Sequence, residues 1–340
     1  MSTVQQDTLP VRPGAARPVA RRRLTPVAVV YLALVALLVV GSLLVGARGE
    51  LLLDQDGILN ILTRATALGL VAIGQTMVIL TGSLDLSVAY LVGLTSLLAA
   101  ETMAGRDGMV GPAVLLALAV AAGVGLVNGL VITVLKANAF IATLGVALIL
   151  RGYLEDNYTG PAGDVPRGFQ HLGYDRIGPV PIAALLMLAV AALAWWYLSR
   201  TRTGYHMYAV GGDIEVARLS GVPTRRTVVT AHVLCSVAAG LAGIYLASRL
   251  GSGAPYVGTD AGYDLESIAA VVLGGTLLAG GRGGVVGTIG GVLILATLDT
   301  IFDDLAVDPF FKDVVRGVVL VAAVALYARR MTANRRGRLT

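Results

Sequence analysis

Residues 26–47 form an unbroken apolar run, and similar runs recur almost to the end of the chain. No other feature limits the possible folds as strongly. About 20 apolar residues in a helix cross the ~30 Å of a bilayer. Ten such spans can be counted, at roughly 26–47, 58–80, 88–104, 112–134, 139–154, 179–198, 228–250, 265–280, 284–302 and 312–328. The fifth, eighth and ninth are short or broken by glycine. Charged residues make up only 14% of the 340, whereas soluble domains carry about 25%. The expected fold class is therefore an all-α polytopic membrane protein with about ten transmembrane helices. The 43 glycines follow no G-X-Y period and suit close helix packing in lipid. The first span exceeds the ~7–15 apolar residues of a cleaved signal peptide, so it reads as an uncleaved span.

The formal charge of +5 is best explained by where the charges lie. With the N-terminus inside, segments 1–25, 81–87, 135–138, 199–227, 281–283 and 329–340 face the cytoplasm. They hold 17 of the 26 basic residues, and the external loops hold only Arg48, Arg106, Arg167 and Arg176. Acids such as Glu50, Asp54, Asp107, Asp164, Asp303 and Asp308 fall outside. This is the positive-inside pattern, with both termini cytoplasmic, and it removes the need for a nucleic-acid partner. The chain then divides into a cytoplasmic disordered arm (1–25), a transmembrane domain (26–328) and a basic cytoplasmic tail (329–340). The domain carries a cytoplasmic loop at 199–227 and a turn-rich external loop at 155–178.

Several chemistries are excluded at this point. The only lysines are Lys136 and Lys312, followed by Ala137 and Asp313, so no G-x-x-x-x-G-K-[ST] loop exists to hold ATP. Cys235 is the sole cysteine, and no disulfide can form within the chain. His232 and Cys235 lie three apart, but with only His171 and His206 elsewhere a metal site lacks ligands; they read as packing residues. No Ser/His/Asp or Cys/His set is expected to assemble, the polar residues being spread over opposite membrane faces. No catalytic residue, metal or bound cofactor is therefore expected.

Four features carry chemistry. In GQTMVILTGSLDLSVAYL (74–91), Gln75, Thr76, Gly82, Asp85 and Ser87 lie at the junction of two spans. An ionisable residue there is a functional candidate, or Ser83 or Asp85 caps the third span. In AAVVLGGTLLAGGRGGVVGTIGG (269–291), Gly274, Gly275, Gly280 and Gly281 imply a broken helix beside a pathway, or a tight packing knot. Arg64, Arg151, Arg249 and Arg316 sit toward the outer ends of spans. They either snorkel to the interface or dock an acidic partner outside.

The fourth feature is YHMYAVGGDIEVARLSGVPTRR (205–226), whose polarity is out of keeping with its surroundings. Asp213 is placed to N-cap a short helix from Ile214, with Glu215 in its first turn. Gly221 reads as the C-cap glycine, and Pro223 stops continuation. One or two turns of helix are expected, held by packing because they are too short to stand alone.

The segment GYHMYAVGGDIEVARLSGVPTRR resembles the cytoplasmic coupling segment of permease subunits in bacterial ABC importers of the ribose/xylose/galactose type. These belong to the branched-chain amino acid/monosaccharide permease superfamily. Gly204, Tyr208, Ala209, Gly211, Gly212, Ala217, Arg218, Leu219, Ser220 and Gly221 match the family pattern, with Asp213 for the usual Asn. GQTMVILTGSLDLSVA, NAFIATLGVALILRG and YDLESIAAVVLGGTLLAGGRGGVVGT resemble three further family segments in the family's order. Ser83, Ala89 and Ala139 depart from it.

The resemblance implies a multi-pass subunit of the bacterial plasma (inner) membrane and a dimer, either of two identical permease chains or of two different ones. It implies partner ATP-binding cassette subunits that use ATP and Mg, and an extracytoplasmic solute-binding protein. Gly211, Gly212, Asp213, Glu215, Ala217, Arg218, Leu219, Ser220 and Gly221 would then engage the ATPase. A monosaccharide or similar polar solute is expected, touched by residues such as Asn128 or Asn138. A branched-chain amino acid or nucleoside permease is the alternative. An ion-coupled transporter, relying on Asp299 and Glu266, would leave the capped loop unexplained.

Overall fold

The computed structural model describes residues 25–308, 310–312, 314–315 and 317–318. Residues 1–24, the tail 329–340, most of the tenth span and Arg316 lie outside the described residues. In chain order the elements are α1 (Pro26–Gly46), α2 (Gln55–Leu80), α3 (Val88–Met103), a 3-10 turn (Asp107–Met109), α4 (Val110–Val134) and α5 (Ala139–Asn157). There follow α6 (Arg167–Tyr174), β1 (Arg176–Ile177), β2 (Val180–Pro181), α7 (Ile182–Arg200), α8 (Arg202–Gly212) and α9 (Ile214–Leu219). The last are α10 (Thr224–Leu250), α11 (Val257–Asp260), α12 (Tyr263–Leu273) and α13 (Val285–Asp304).

The architecture is all-α. Its only sheet among the described residues is the antiparallel pair β1–β2, with Arg176 opposite Pro181 and Ile177 opposite Val180. Among the described residues, six helices are long and apolar enough to cross a membrane: α1, α2, α4 with its 3-10 turn, α7, α10 and α13. The apolar α3 is shorter, at 16 residues. The fifth expected span is continuous as α5. The eighth is not span-length, because α12 stops at Leu273 and residues 274–284 are irregular. Six glycines fall within those 11 positions, and each costs a helix roughly 1 kcal/mol relative to alanine.

Helix α10 is the centre of the bundle, packed on α4, α2 and α3. Small residues permit this. Gly125 and Gly129, spaced as Gly-x-x-x-Gly on α4, face Val233 and Val229 on α10. A Cβ on Gly125 would lie 2.6 Å from the His232 carbonyl oxygen, and one on Gly129 2.7 Å from Val229 Cα. In lipid, where apolar burial does not drive helices together, such backbone approach supplies the dispersion contact that holds them. Helix α5 by contrast packs chiefly on α3 and α4. It leaves Phe140, Ile141, Leu144, Leu148, Ile149 and Tyr153 exposed.

Loops 104–106, 158–166 and 251–254 meet at one end of the bundle, through the Ala162–Gly253 bridge and the hydrogen bond from Gly105 N–H to Asp164 O. Helices α8 and α9 lie at the other end, α8 against the C-terminus of α2 and the glycine loop 274–284, and α9 against α8 and α10.

Candidate functional site

Helix α9 forms where its caps require it. The Asp213 carboxylate accepts hydrogen bonds from the backbone N–H groups of Glu215 (2.9 Å) and Val216 (3.0 Å). At the other end Gly221, at φ +80°, donates its N–H to Arg218 O, and Val222 donates to Ala217 O. This paired closure is the Schellman arrangement, for which a left-handed glycine is best suited. Ala217 is buried with Val210 and Val228, and this seats the helix on α8 and α10. Ile214, Val216 and Leu219 face away, and Leu219 is 83% exposed. Glu215 and Arg218 pair with each other at 2.6 Å on the exposed surface.

The polar stretch holds more helix than its sequence suggested. Residues 202–212 form α8, with Thr201 accepting from Gly204 N–H at 3.0 Å as its N-cap. Gly211, at the end of α8, lies against the end of α2. A Cβ there would meet Leu80 O at 1.9 Å and Gly281 N at 2.5 Å. Gly281 N–H in turn donates to Leu80 O at 3.0 Å. Gly280 (φ +87°) closes the same contact, its missing Cβ 2.7 Å from Gly82 N and 2.9 Å from Gly211 Cα. Gly274 and Gly287 abut through their backbones, and Thr76 and Thr288 share a hydrogen bond at 2.8 Å. The glycine-dense stretch is thus a packing knot. Gly275 takes part as a left-handed residue just past α12.

The segment 81–87 leaves α2 at Gly82 (φ +78°) and folds back among the helices, so that Ser83, Asp85 and Ser87 are all buried. Asp85 Oδ1 accepts from Ser87 N–H (3.0 Å) and Ser87 Oγ–H (2.6 Å). Asn128 Nδ2 of α4 donates to both carboxylate oxygens (3.3 and 3.2 Å) and to Ser87 Oγ (2.9 Å). On α10, His232 Nδ1 stands 3.3 Å from Asp85 Oδ2, and its Nε2 stands 2.9 Å from Ser83 Oγ. An ionised carboxylate can only accept, so Nδ1 carries the proton toward it and Nε2 meets the hydroxyl. Thr143 of α5 completes the set, accepting from Leu86 N–H at 3.2 Å.

These contacts correct several expectations. A Ser/His/Asp set does assemble, as Ser83–His232–Asp85, and His232 is a hydrogen-bonded bridge rather than a packing residue. The order of contacts is that of a nucleophilic triad. All three side chains are nevertheless enclosed by helices, leaving no room for a substrate beside Ser83 Oγ. Neither Ser83 nor Asp85 caps α3, whose N-terminus at Ser87 has no side-chain cap; Asp85 instead joins Ser87, α4 and α10. Asn128 is fully buried in this network and does not line an open pathway, and Asn138 is the N-cap of α5, accepting from Phe140 N–H at 2.9 Å. Gln75 is buried beside Cys235, whose Sγ–H donates to Gln75 Oε1 at 3.5 Å.

At the far end of the bundle Arg64 pairs with Asp303, which also holds Lys312. Arg151 pairs with Glu155 at 2.7 Å, and Gly173 of α6 packs on the backbone of Arg249. Tyr158 donates to Glu101 at 2.8 Å; burial first, and then this bond, push its phenol well above the usual range.

Residues 57–324 match the family described as branched-chain amino acid transport system / permease component. The chain is 40% identical over 276 residues to the ribose import permease protein RbsC of Escherichia coli (strain K12), covering 79% of this chain and 84% of that protein. It is 39% identical over 279 residues to RbsC of Bacillus subtilis (strain 168), covering 81% and 85%. To the L-arabinose transport system permease protein AraH of Escherichia coli (strain K12) the identity is 38% over 274 residues, covering 78% and 81%. No solved structure matches the chain.

Proposed function

Because the chain belongs to the family of branched-chain amino acid transport system permease components, we propose that it is the membrane-spanning subunit of an ATP-driven importer. It forms the translocation pathway for a monosaccharide or a similar small polar solute. The relatives named for ribose and L-arabinose support a sugar over a branched-chain amino acid or a nucleoside. The subunit crosses the bacterial plasma (inner) membrane about ten times with both termini inside, which puts α8 and α9 on the cytoplasmic side. ATP and Mg belong to separate ATP-binding subunits. A second permease copy completes the pathway, and the exposed apolar face of α5 supports this. An extracytoplasmic binding protein delivers solute at the end that carries Arg64, Arg151, Arg249 and, in sequence, Arg316. A docking acid there would have to extend the pairs that Arg64 and Arg151 already make within the chain.

The observation that carries this reading is α9. A six-residue helix is far below the length at which helices stand alone. Here it is closed at both ends by caps and anchored by Ala217 alone among its own side chains. Its other apolar side chains project outward on the side where basic residues collect. An exposed, rigidly presented apolar and charged surface of this kind fits a groove on a partner.

The double variant Glu215→Lys, Arg218→Glu inverts the surface charge yet keeps the ion pair, so α9 stays folded. Affinity-tagged wild-type protein, solubilised mildly from its native membranes, is expected to bring down an ATP-binding subunit, and the swapped variant to bring down less than about a tenth as much. Equal recovery with both would remove α9 from the interface. Recovery with neither would remove the ATP-driven reading.

A further inference from the structure

The hydrogen-bonded set around His232 adjoins the backbone knot that seats α8. Leu80 O receives both the Gly281 N–H and the close approach of Gly211. Two residues on, Gly82 lies under Gly280, and the next side chain, Ser83, reaches His232. Only seven residues, 81–87, separate α2 from α3, and they touch the end of α8, the glycine loop, α10, α4 and α5. A displacement of α8 and α9 therefore reaches the interior of α10 through Ser83 and that of α4 through Asp85, beside the direct contact that Ala217 and Val210 make with Val228 at the start of α10.

We propose that the Ser83–His232–Asp85–Asn128 network, joined to the Gly211–Leu80–Gly281 contact, is the relay that makes α4 and α10 move with α9. His232 is its central positioning residue. The proposal rests on the coupling role given to α9 above. Three properties suit these groups to a relay. All four side chains are buried, so water cannot replace a broken link. The two bonds of His232 run to different points of one short segment, so they fix its orientation as well as its distance. The backbone contact at Gly211 has no side chain between the strands of chain that meet, so little slack exists to absorb a shift.

Each link can be cut separately. In His232→Asn the amide nitrogen takes the place of Nδ1, keeping Asp85 and losing Ser83. Ser83→Ala removes the same link from its other end. Since Cys235 is the sole cysteine and fully buried, a maleimide in solution reports on an introduced cysteine. Leu250→Cys, exposed at the far end of α10, serves as the reporter. The preparation is the complex with its co-purified ATP-binding subunits in nanodiscs, labelled without nucleotide and after trapping with ATP and vanadate.

In the otherwise wild-type chain the labelling rate is expected to change about fivefold or more between the two states, within the span of ordinary coupling between sites. In the His232→Asn and Ser83→Ala chains, with the ATPase still bound, it should change by less than about twofold. A thermal melt of each complex that stays near the wild-type value separates lost coupling from a loosened fold. An undiminished change in both variants overturns the relay, and so does no change in the reporter chain itself. Loss of the ATPase from both variants overturns it too, because the relay lies behind the docking surface; should His232→Asn alone fail to assemble, Ser83→Ala decides. Absence of any ATPase from the wild-type preparation is seen separately, and it removes the coupling role and the relay together.

Discussion

Gly129→Leu is expected to prevent the bundle from assembling, leaving little or no monodisperse protein in detergent. A Cβ on Gly129 would stand 2.7 Å from Val229 Cα, which is backbone and cannot turn aside. Helix α4 would have to retreat from α10 along the whole Gly125–Gly129 seam. The same retreat would lengthen the Asn128–Asp85 and Asn128–Ser87 hydrogen bonds, since Asn128 precedes Gly129 on the same helix. Overpacking a close-fitted site usually costs about 1–3 kcal/mol. Here the broken polar contacts add to that, against a total stability of about 5–15 kcal/mol. Gly123→Leu, on the same helix but with open space around its absent Cβ, serves as the control and should purify like the wild type. Fluorescence-detected size-exclusion chromatography of both distinguishes the two outcomes. Equal monodisperse yields would show that the seam is not what holds α4.

Asp85→Ala is expected to have the second-largest effect. It strands the Ser87 N–H and hydroxyl and the His232 Nδ1–H inside the protein without an acceptor, and leaves the Asn128 amide with Ser87 Oγ alone. Each buried, unsatisfied group costs about 1–3 kcal/mol. Asp85→Asn keeps the shape and one acceptor oxygen, so its loss should be nearer 1–2 kcal/mol. The melting temperatures of the purified proteins should therefore fall in the order wild type, Asp85→Asn, Asp85→Ala. Adding His232→Ala to Asp85→Ala should cost less than the two single losses together, since the bridge between them is then already gone. Strict additivity would mean that the Asp85–His232 contact contributes nothing to the fold.

What the sequence made legible was local. The caps of α9 could be read because Asp213, Gly221 and the residues they bond lie within nine positions of one another. The all-α membrane architecture followed from the length of the apolar runs. The break in the glycine-dense stretch followed from its composition, though not the point, Leu273, at which α12 ends. The end of α8 was hidden because its last two residues are Gly211 and Gly212, where intrinsic propensity argues for a loop; close packing of Gly211 on Leu80 outweighs that preference.

The meeting of Ser83 and Asp85 with His232 could not be read at all. The partners are 149 and 147 residues apart. Their nearness to the ends of spans put all three toward the cytoplasmic side, which does not by itself bring them into contact. In the fold, His232 lies about two turns inside α10 and the short segment 81–87 turns inward to reach it. A hint was present, since a histidine inside an apolar span needs partners for both ring nitrogens. Gly125-x-x-Asn128-Gly129 was a second signal, marking a helix face that carries both a close approach and a polar group.

The central claim is that this chain passes a small sugar across the membrane at the expense of ATP hydrolysed by partners seated on α9. The most direct measurement is uptake of radiolabelled ribose, arabinose and galactose into proteoliposomes that hold the co-purified complex and receive its binding protein from outside. Enclosed ATP is expected to drive accumulation of at least one of these sugars. Leu219→Asp, which changes a side chain left exposed by the described residues, is expected to abolish it without lowering the melting temperature of the permease. Accumulation that needs no ATP, or that follows an imposed proton or sodium gradient and ignores Leu219→Asp, would contradict the account.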